Sequence, residues 1–253
     1  MKPKFGTLEK KLSVIKKNNL LRNLQDSQIE KQFIKQNGKK LLNFSSNDYL
    51  GMNPGKIKHI QFQSSSRLVS GNDNSFSILE KKLAKHKSQE KSIIFPTGYM
   101  ANLGIISSIA DKQDTIFSDE LNHASIVEAC KLSESKIKIF KHNDMGDLER
   151  KIEKTKGKKL LITEGIFSMD GDWSRLDKIS QMAETHGIIT ILDDAHGDFV
   201  LGKDGKGTAK FFDVEKKIDL YISSLSKGLG SFGGYVCGKK GLIDLCINTS
   251  KTF

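Results

Sequence analysis

The sequence predicts an α/β fold class, with a mostly parallel sheet flanked by helices, on three observations. Short runs rich in β-branched residues alternate with longer runs of helical periodicity. Several of the short runs are almost wholly apolar, as Ile188-Ile-Thr-Ile-Leu192 is, which suits strands covered on both faces. The chain has 253 residues, 37% of them hydrophobic, enough to build a substantial core.

The elements follow in order. Near the N-terminus Leu8, Leu12, Ile15 and Leu20 recur at roughly helical spacing among lysines. Residues 1–45 read as an arm or a piece of another layer, joined near Gly38, and residues 46–253 as one large domain. Ser77 with Glu80 fits a capping box, opening a helix to about Lys87. Gly98 to Ala110 reads as a second helix, entered through a Thr-Gly turn. A strand at Thr115, a helix near Ser125–Leu132 and a strand over Lys136–Phe140 come next. Asp147–Lys154 is a charged helix and Lys159–Thr163 an apolar strand. Leu176–His186 is helical and Ile188–Leu192 a buried strand. Asp219–Ser223 and Gly234–Cys237 close the series of strands.

Composition excludes several classes. No window of about 18 apolar residues exists, so no membrane span or membrane partner is expected. The basic N-terminus lacks an apolar stretch of signal-peptide length. Cys130, Cys237 and Cys246 form no CxxC pair and are odd in number, which fits a reducing cytoplasm rather than a disulfide framework. The 41 Lys+Arg outnumber the 30 Asp+Glu, but they are dispersed and no nucleic-acid motif accompanies them. A lysine-rich surface is the simpler reading, and no nucleic-acid partner is expected.

The groups that carry chemistry cluster at strand ends, where open parallel sheets bind ligands. Asp193 and His196 follow one strand, three residues apart. Lys227, flanked by small residues, follows the next, and a desolvated lysine there can form a Schiff base. Taken singly, Asp193 also reads as a helix cap and Lys227 as a surface lysine. Gly228–Gly233 formally matches a dinucleotide-binding pattern, but the Gly-Tyr-Val-Cys after it reads as strand, not helix. No second His/Cys cluster supports a metal site, so no metal is expected. Gly202–Gly207 lacks a phosphate-loop ending and reads as a surface turn. His123 precedes a helical run and reads by itself as a cap or a surface histidine. Gly98 and Tyr99 begin a helix whose first amides suit a phosphate. Glu164 and Ser168 follow a further strand. Together these groups suit a planar, phosphorylated cofactor.

Eight segments in this order resemble a known family. They are Asn43–Gly51, Arg67–Gly71, Thr97–Asn102, Asn122–Ser125, His142–Asp144, Glu164–Asp172, Asp193–Gly197 and Ser224–Gly228. The chain resembles the α-oxoamine synthases, pyridoxal 5'-phosphate (PLP) enzymes of the aspartate-aminotransferase fold (type I). The resemblance implies that Lys227 holds PLP as a Schiff base and serves as the base for the substrate's α-proton. It implies that Asp193 pairs with the ring nitrogen and that His196 bonds the ring's phenolic oxygen. His123 would stack on the ring, with Ser168 nearby. Gly98, Tyr99 and Ser224 would contact the phosphate; the family commonly has Thr at the Ser224 position. Arg22 and Asn47 would contact substrate. The implied substrates are L-alanine and an acyl thioester, either pimeloyl-CoA or pimeloyl-acyl carrier protein, acted on by a cytoplasmic homodimer. Alternatives are another branch of the family, such as glycine C-acetyltransferase, or a partner-dependent PLP-binding subunit or inactive fragment. The chain ends where the resemblance implies that a smaller C-terminal domain should follow, so that domain is expected to be missing.

Overall fold

The computed structural model describes residues 4–52 and 64–253. The chain divides into two units, Met1–Ser46 and Asn47–Phe253. The first unit holds helix α1 (Gly6–Lys17) and an antiparallel sheet of β1 (Ser27–Glu30), β2 (Phe33–Gln36) and β3 (Lys39–Leu42). The leucine periodicity did mark a helix, yet α1 buries no residue, and Leu8 and Leu12 are exposed.

Among the described residues, the second unit begins its regular structure with α2 (Asn74–His86), β4 (Lys91–Phe95) and α3 (Gly98–Ile109). Three strand–helix pairs follow: β5 (Thr115–Asp119) with α4 (Ala124–Leu132), β6 (Lys136–Phe140) with α5 (Met145–Glu153), and β7 (Lys159–Glu164) with α6 (Leu176–His186). Then come β8 (Ile189–Asp193), α7 (Thr208–Phe211), β9 (Leu220–Ser224), β10 (Gly234–Gly238) and α8 (Lys240–Thr249). The seven strands run in the order β4-β10-β9-β8-β7-β5-β6. The pairs from β9 to β6 are parallel, and β10 runs antiparallel to both of its neighbours.

The period of two along each strand divides the core between the two faces of this sheet. Ile116, Leu160, Ile162, Ile191, Leu220 and Ile222 pack with Ile105 and Ile106 of α3 and Ile243 of α8. Their neighbours in sequence point the other way. Leu192 and Tyr221 pack with Leu83 of α2, and Phe117 and Leu161 with Leu148 and Ile179. Both faces are therefore covered, as the apolar runs require. At the β6 edge Lys136 and Ile139 are exposed, and a lysine on an open edge discourages pairing with another chain.

Two local expectations are corrected. The N-cap of α2 is Asp73, whose carboxylate accepts from the Ser75 amide at 2.8 Å; Ser77 lies inside the helix. Glu80 is occupied elsewhere, accepting from the Ile94 amide at 3.0 Å and pairing with Arg67 at 2.9 Å. A half-buried carboxylate with a guanidinium beside it gains more there than by reaching back to a solvated helix end. The second correction is at β8, which starts one residue later than the apolar run and ends on Asp193, paired in register with Glu164. Gly187 takes the left-handed conformation (φ 59°) that stops α6, and Ile188 serves as the link.

Candidate active site

The carboxyl ends of β7, β8 and β9 and the N-termini of α3 and α4 enclose a cavity of about 210 Å³. Its lining includes Gly98, Tyr99, Asn102, His123, Glu164, Asp193, Ser224 and Lys227.

Asp193 is buried at the end of β8. Its Oδ2 accepts from Asn102 Nδ2 at 2.7 Å, and its Oδ1 from the Ala195 amide at 3.0 Å. The carboxylate is thus fixed in direction and still lines the cavity. Asn102 was quoted above only as the end of a segment. Its signal was a lone amide side chain in an apolar helix, one turn from the cap. Asn102 Oδ1 is buried without a hydrogen-bond partner.

Lys227 is half-buried in the turn after β9. Its Nζ lies 2.7 Å from His196 Nε2, and His196 Nδ1 lies 2.5 Å from the Tyr49 hydroxyl. The hydroxyl is 3.2 Å from Asn47 Oδ1. Burial, and then the Lys227 charge, push the His196 pKa down to about 4, so the ring is neutral at physiological pH. One proton arrangement then satisfies every partner. Lys227 donates to Nε2, Nδ1–H donates to Tyr49, and Tyr49 donates to Asn47. Burial also holds the Lys227 ammonium below its ordinary pKa, against the opposing pull of Asp193 and Glu164.

Glu164 sits beside Asp193 in the sheet. Burial, and then the Asp193 charge, raise its pKa to about 8. Its Oε1 accepts from the His123 amide at 2.5 Å, holding the start of α4 against β7. His123 is the N-cap of α4, with Nδ1 accepting from the Ser125 amide at 3.2 Å. It also lines the cavity, with its ring 6.3 Å from that of Tyr99 and nearly perpendicular to it. Cap and site residue therefore coincide.

At the far end of the cavity Thr97 caps α3, accepting from the Met100 amide at 3.0 Å. Gly98 and Tyr99 supply the first amides of that helix, which have no intrahelical partner. A Cβ on Gly98 would meet Ser224 Cβ at 3.3 Å, and one on Gly234 would lie 2.5 Å from Gly98 Cα. Bare backbone is what brings helix start and strand end together. Ser224 Oγ pairs with Ser226 Oγ at 2.8 Å.

Lys227, Asp193, His196, His123, Gly98, Tyr99 and Ser224 are thus gathered about one cavity, and Asn47 is linked to it through Tyr49. Ser168 is not in the lining; it is exposed in the turn after β7. Arg22 is exposed in the first unit. The Gly228–Gly233 stretch leads into strand β10, not a helix.

Residues 39–253 match the family of class I and II aminotransferases. The chain is 42% identical over 229 residues to the 8-amino-7-oxononanoate synthase of Thermoanaerobacter pseudethanolicus, covering 85% of this chain and 58% of that one. It therefore spans under two thirds of that relative's length. Among solved structures, a serine palmitoyltransferase variant from S. paucimobilis with a bound PLP–myriocin adduct superposes with a TM-score of 0.87 at 25% identity, over 98% of this chain and 68% of that one. The 8-amino-7-oxononanoate synthase of Francisella tularensis gives 0.62 at 32% identity, over 70% and 51%. The chain belongs to the class I and II aminotransferase family, and within it resembles the α-oxoamine synthases in sequence and in fold.

Proposed function

We propose that this chain binds PLP and carries the cofactor half of a decarboxylating condensation. In that reaction the α-carbon of L-alanine joins the carbonyl of a pimeloyl thioester, carried on CoA or an acyl carrier protein. The thiol and CO2 leave, and the product is 8-amino-7-oxononanoate for biotin synthesis. The observation that carries the reading is the convergence of Lys227, Asp193 and His123 on one cavity, in a chain 42% identical to a synthase of that name.

The residues present fit the cofactor. The cavity has an amine at Lys227, a fixed carboxylate at Asp193, and helix-end amides at Gly98 and Tyr99. The close approach of Gly234 to Gly98 leaves no room for a side chain between them. PLP, when bound, supplies an electron sink for a carbanion at the amino acid's α-carbon.

The protein's own residues do the rest. Asp193, held by Asn102, would pair with the ring nitrogen and favour its protonated form. Lys227 would hold the cofactor through its Nζ and, when free, would move the substrate's α-proton at that atom. Its lowered pKa makes the free amine easier to reach. His196 orients that amine and carries no charge of its own. Glu164 keeps its proton, so it adds no second negative charge beside Asp193. His123 lines the cavity and would stack on the ring and help orient the acyl group, while Tyr99, with Gly98, would contact the phosphate. Ser224, with the first amides of α3, would receive the phosphate. Ser168, Asn47 and Arg22 are proposed to contact cofactor or substrate, Arg22 from the N-terminal arm. The cytoplasm is the proposed compartment; among the described residues no helix is long and apolar enough to cross a membrane.

The test is the visible spectrum of the chain with PLP before and after borohydride, followed by peptide mapping and an assay with alanine and pimeloyl thioester. A trapped adduct on Lys227, absent in Lys227→Ala, is the expected result. Folded protein that traps nothing at Lys227 would overturn the reading.

A further inference from the structure

The turn after β8 has two faces. Asp193 lines the cavity, and His196, three residues on, contacts Lys227, which lines it too. Asp194 and Asp198 are spaced i, i+4 and share the other face. The backbone closes as a helical turn, with the Asp198 amide donating to Asp194 O at 2.8 Å.

On the hidden face is an arrangement that the chemistry above does not use. Lys87, at the end of α2, is 3% exposed, far below what is usual for a lysine. Its Nζ lies 3.0 Å from Asp194 Oδ2, 2.6 Å from Asp198 Oδ1 and 3.0 Å from the Lys206 carbonyl. Thr208 Oγ1 donates to Asp194 at 2.7 Å, and the Tyr235 hydroxyl donates to Asp198. Backbone encloses the rest. A Cβ on Gly207 would lie 1.8 Å from Asp194 Oδ2. Burial opposes the Lys87 charge, but the two carboxylates overcome it and hold the pKa above its ordinary value. A fully paired ion cluster of this kind fixes geometry more than it adds stability.

We propose that Lys87 is a positioning residue of the cofactor site: its ammonium clamps Asp194 and Asp198 on the back of the turn and thereby sets Asp193 and His196 on its front. The inference rests on the PLP reading above. In metal sites, outer partners that hold the ligating groups typically cost about tenfold or more when removed, and an effect on that scale is expected here.

The full chain is tested as Lys87→Met/Asp194→Asn, which keeps the net charge of the cluster. PLP affinity and the pH midpoint of the lysine-linked chromophore are read alongside the melting temperature. The expected result is a folded variant that melts below the parent, because Asp198 keeps only His86 and Tyr235 as partners, and that binds PLP about tenfold more weakly with a displaced midpoint. A folded variant with parental affinity and midpoint overturns the proposal. Should the double variant not fold, Thr208→Val removes one hydrogen bond on Asp194 and leaves Lys87 in place. A several-fold loss of affinity supports the clamp, and parental affinity overturns it. One readout needs no cofactor. The His196 ring, followed by NMR in the cofactor-free chain, is expected to titrate higher in these variants, and an unmoved midpoint counts against the clamp. Failure of the parent to trap PLP would remove the functional reading and leave this NMR comparison to decide on Lys87.

Discussion

Glu164 and Asp193 lie side by side at the ends of neighbouring strands, and they share one low-dielectric wall. That wall cannot hold two charges cheaply, so Glu164 keeps its proton up to about pH 8. Unfolded, it would release that proton near 4.5. Between those values the folded chain binds one proton more than the unfolded chain, so this residue's contribution is complete below 4.5 and is lost as pH rises toward 8. Glu164→Gln is expected to flatten that part of the stability profile, measured by urea denaturation of the cofactor-free chain across the range. An unchanged slope would mean that Glu164 ionises normally. His196 works in the opposite sense. Its ring protonates near 4 when folded and near 6.5 when free, so stability falls as pH drops through that window, and His196→Asn should remove this slope. Neither group's charge state was legible in the sequence, because each depends on a neighbour from another strand or loop. Asp193, His196 and Lys227 were legible, since strand ends in a parallel sheet mark the site without any knowledge of partners.

At the scale of elements, the site depends on how closely β10 approaches the start of α3. A methyl group on Gly234 would lie 2.5 Å from both the Cα and N of Gly98. Gly234→Ala is therefore expected to cost about 1–3 kcal/mol in a denaturant titration, as overpacking does, and to weaken PLP binding by pushing the α3 amides out of line. Wild-type stability and affinity would show that strand and helix can part without consequence. The helices and central strands were readable because their apolar period is strong. β4 was not singled out, since Lys91-Ser-Ile-Ile-Phe95 is short and opens with polar residues. The helix cap was misread because Ser77 and Glu80 have capping spacing, while a more distant partner, Arg67, draws Glu80 away. Local patterns describe what a residue can do, and tertiary contacts choose among the options.

On the scale of the whole molecule, large apolar side chains such as Phe44, Met169 and Phe232 are 77% or more exposed in the single chain. Surface of this kind fits the proposed homodimer. Sedimentation at micromolar concentration should give twice the chain mass, and a monomer at every concentration would exclude the dimer. The order of the sheet has a further consequence, for synthesis on the ribosome. β4 is made before the five strands β5 to β9, and its sheet partner β10 only after them. At about 5–20 residues per second, β4 spends many seconds with neither edge paired. Gly98 likewise waits for Gly234. The nascent chain can therefore assemble the layers around β5 to β8 first, while the corner between α3 and β10 closes only once β10 has been made.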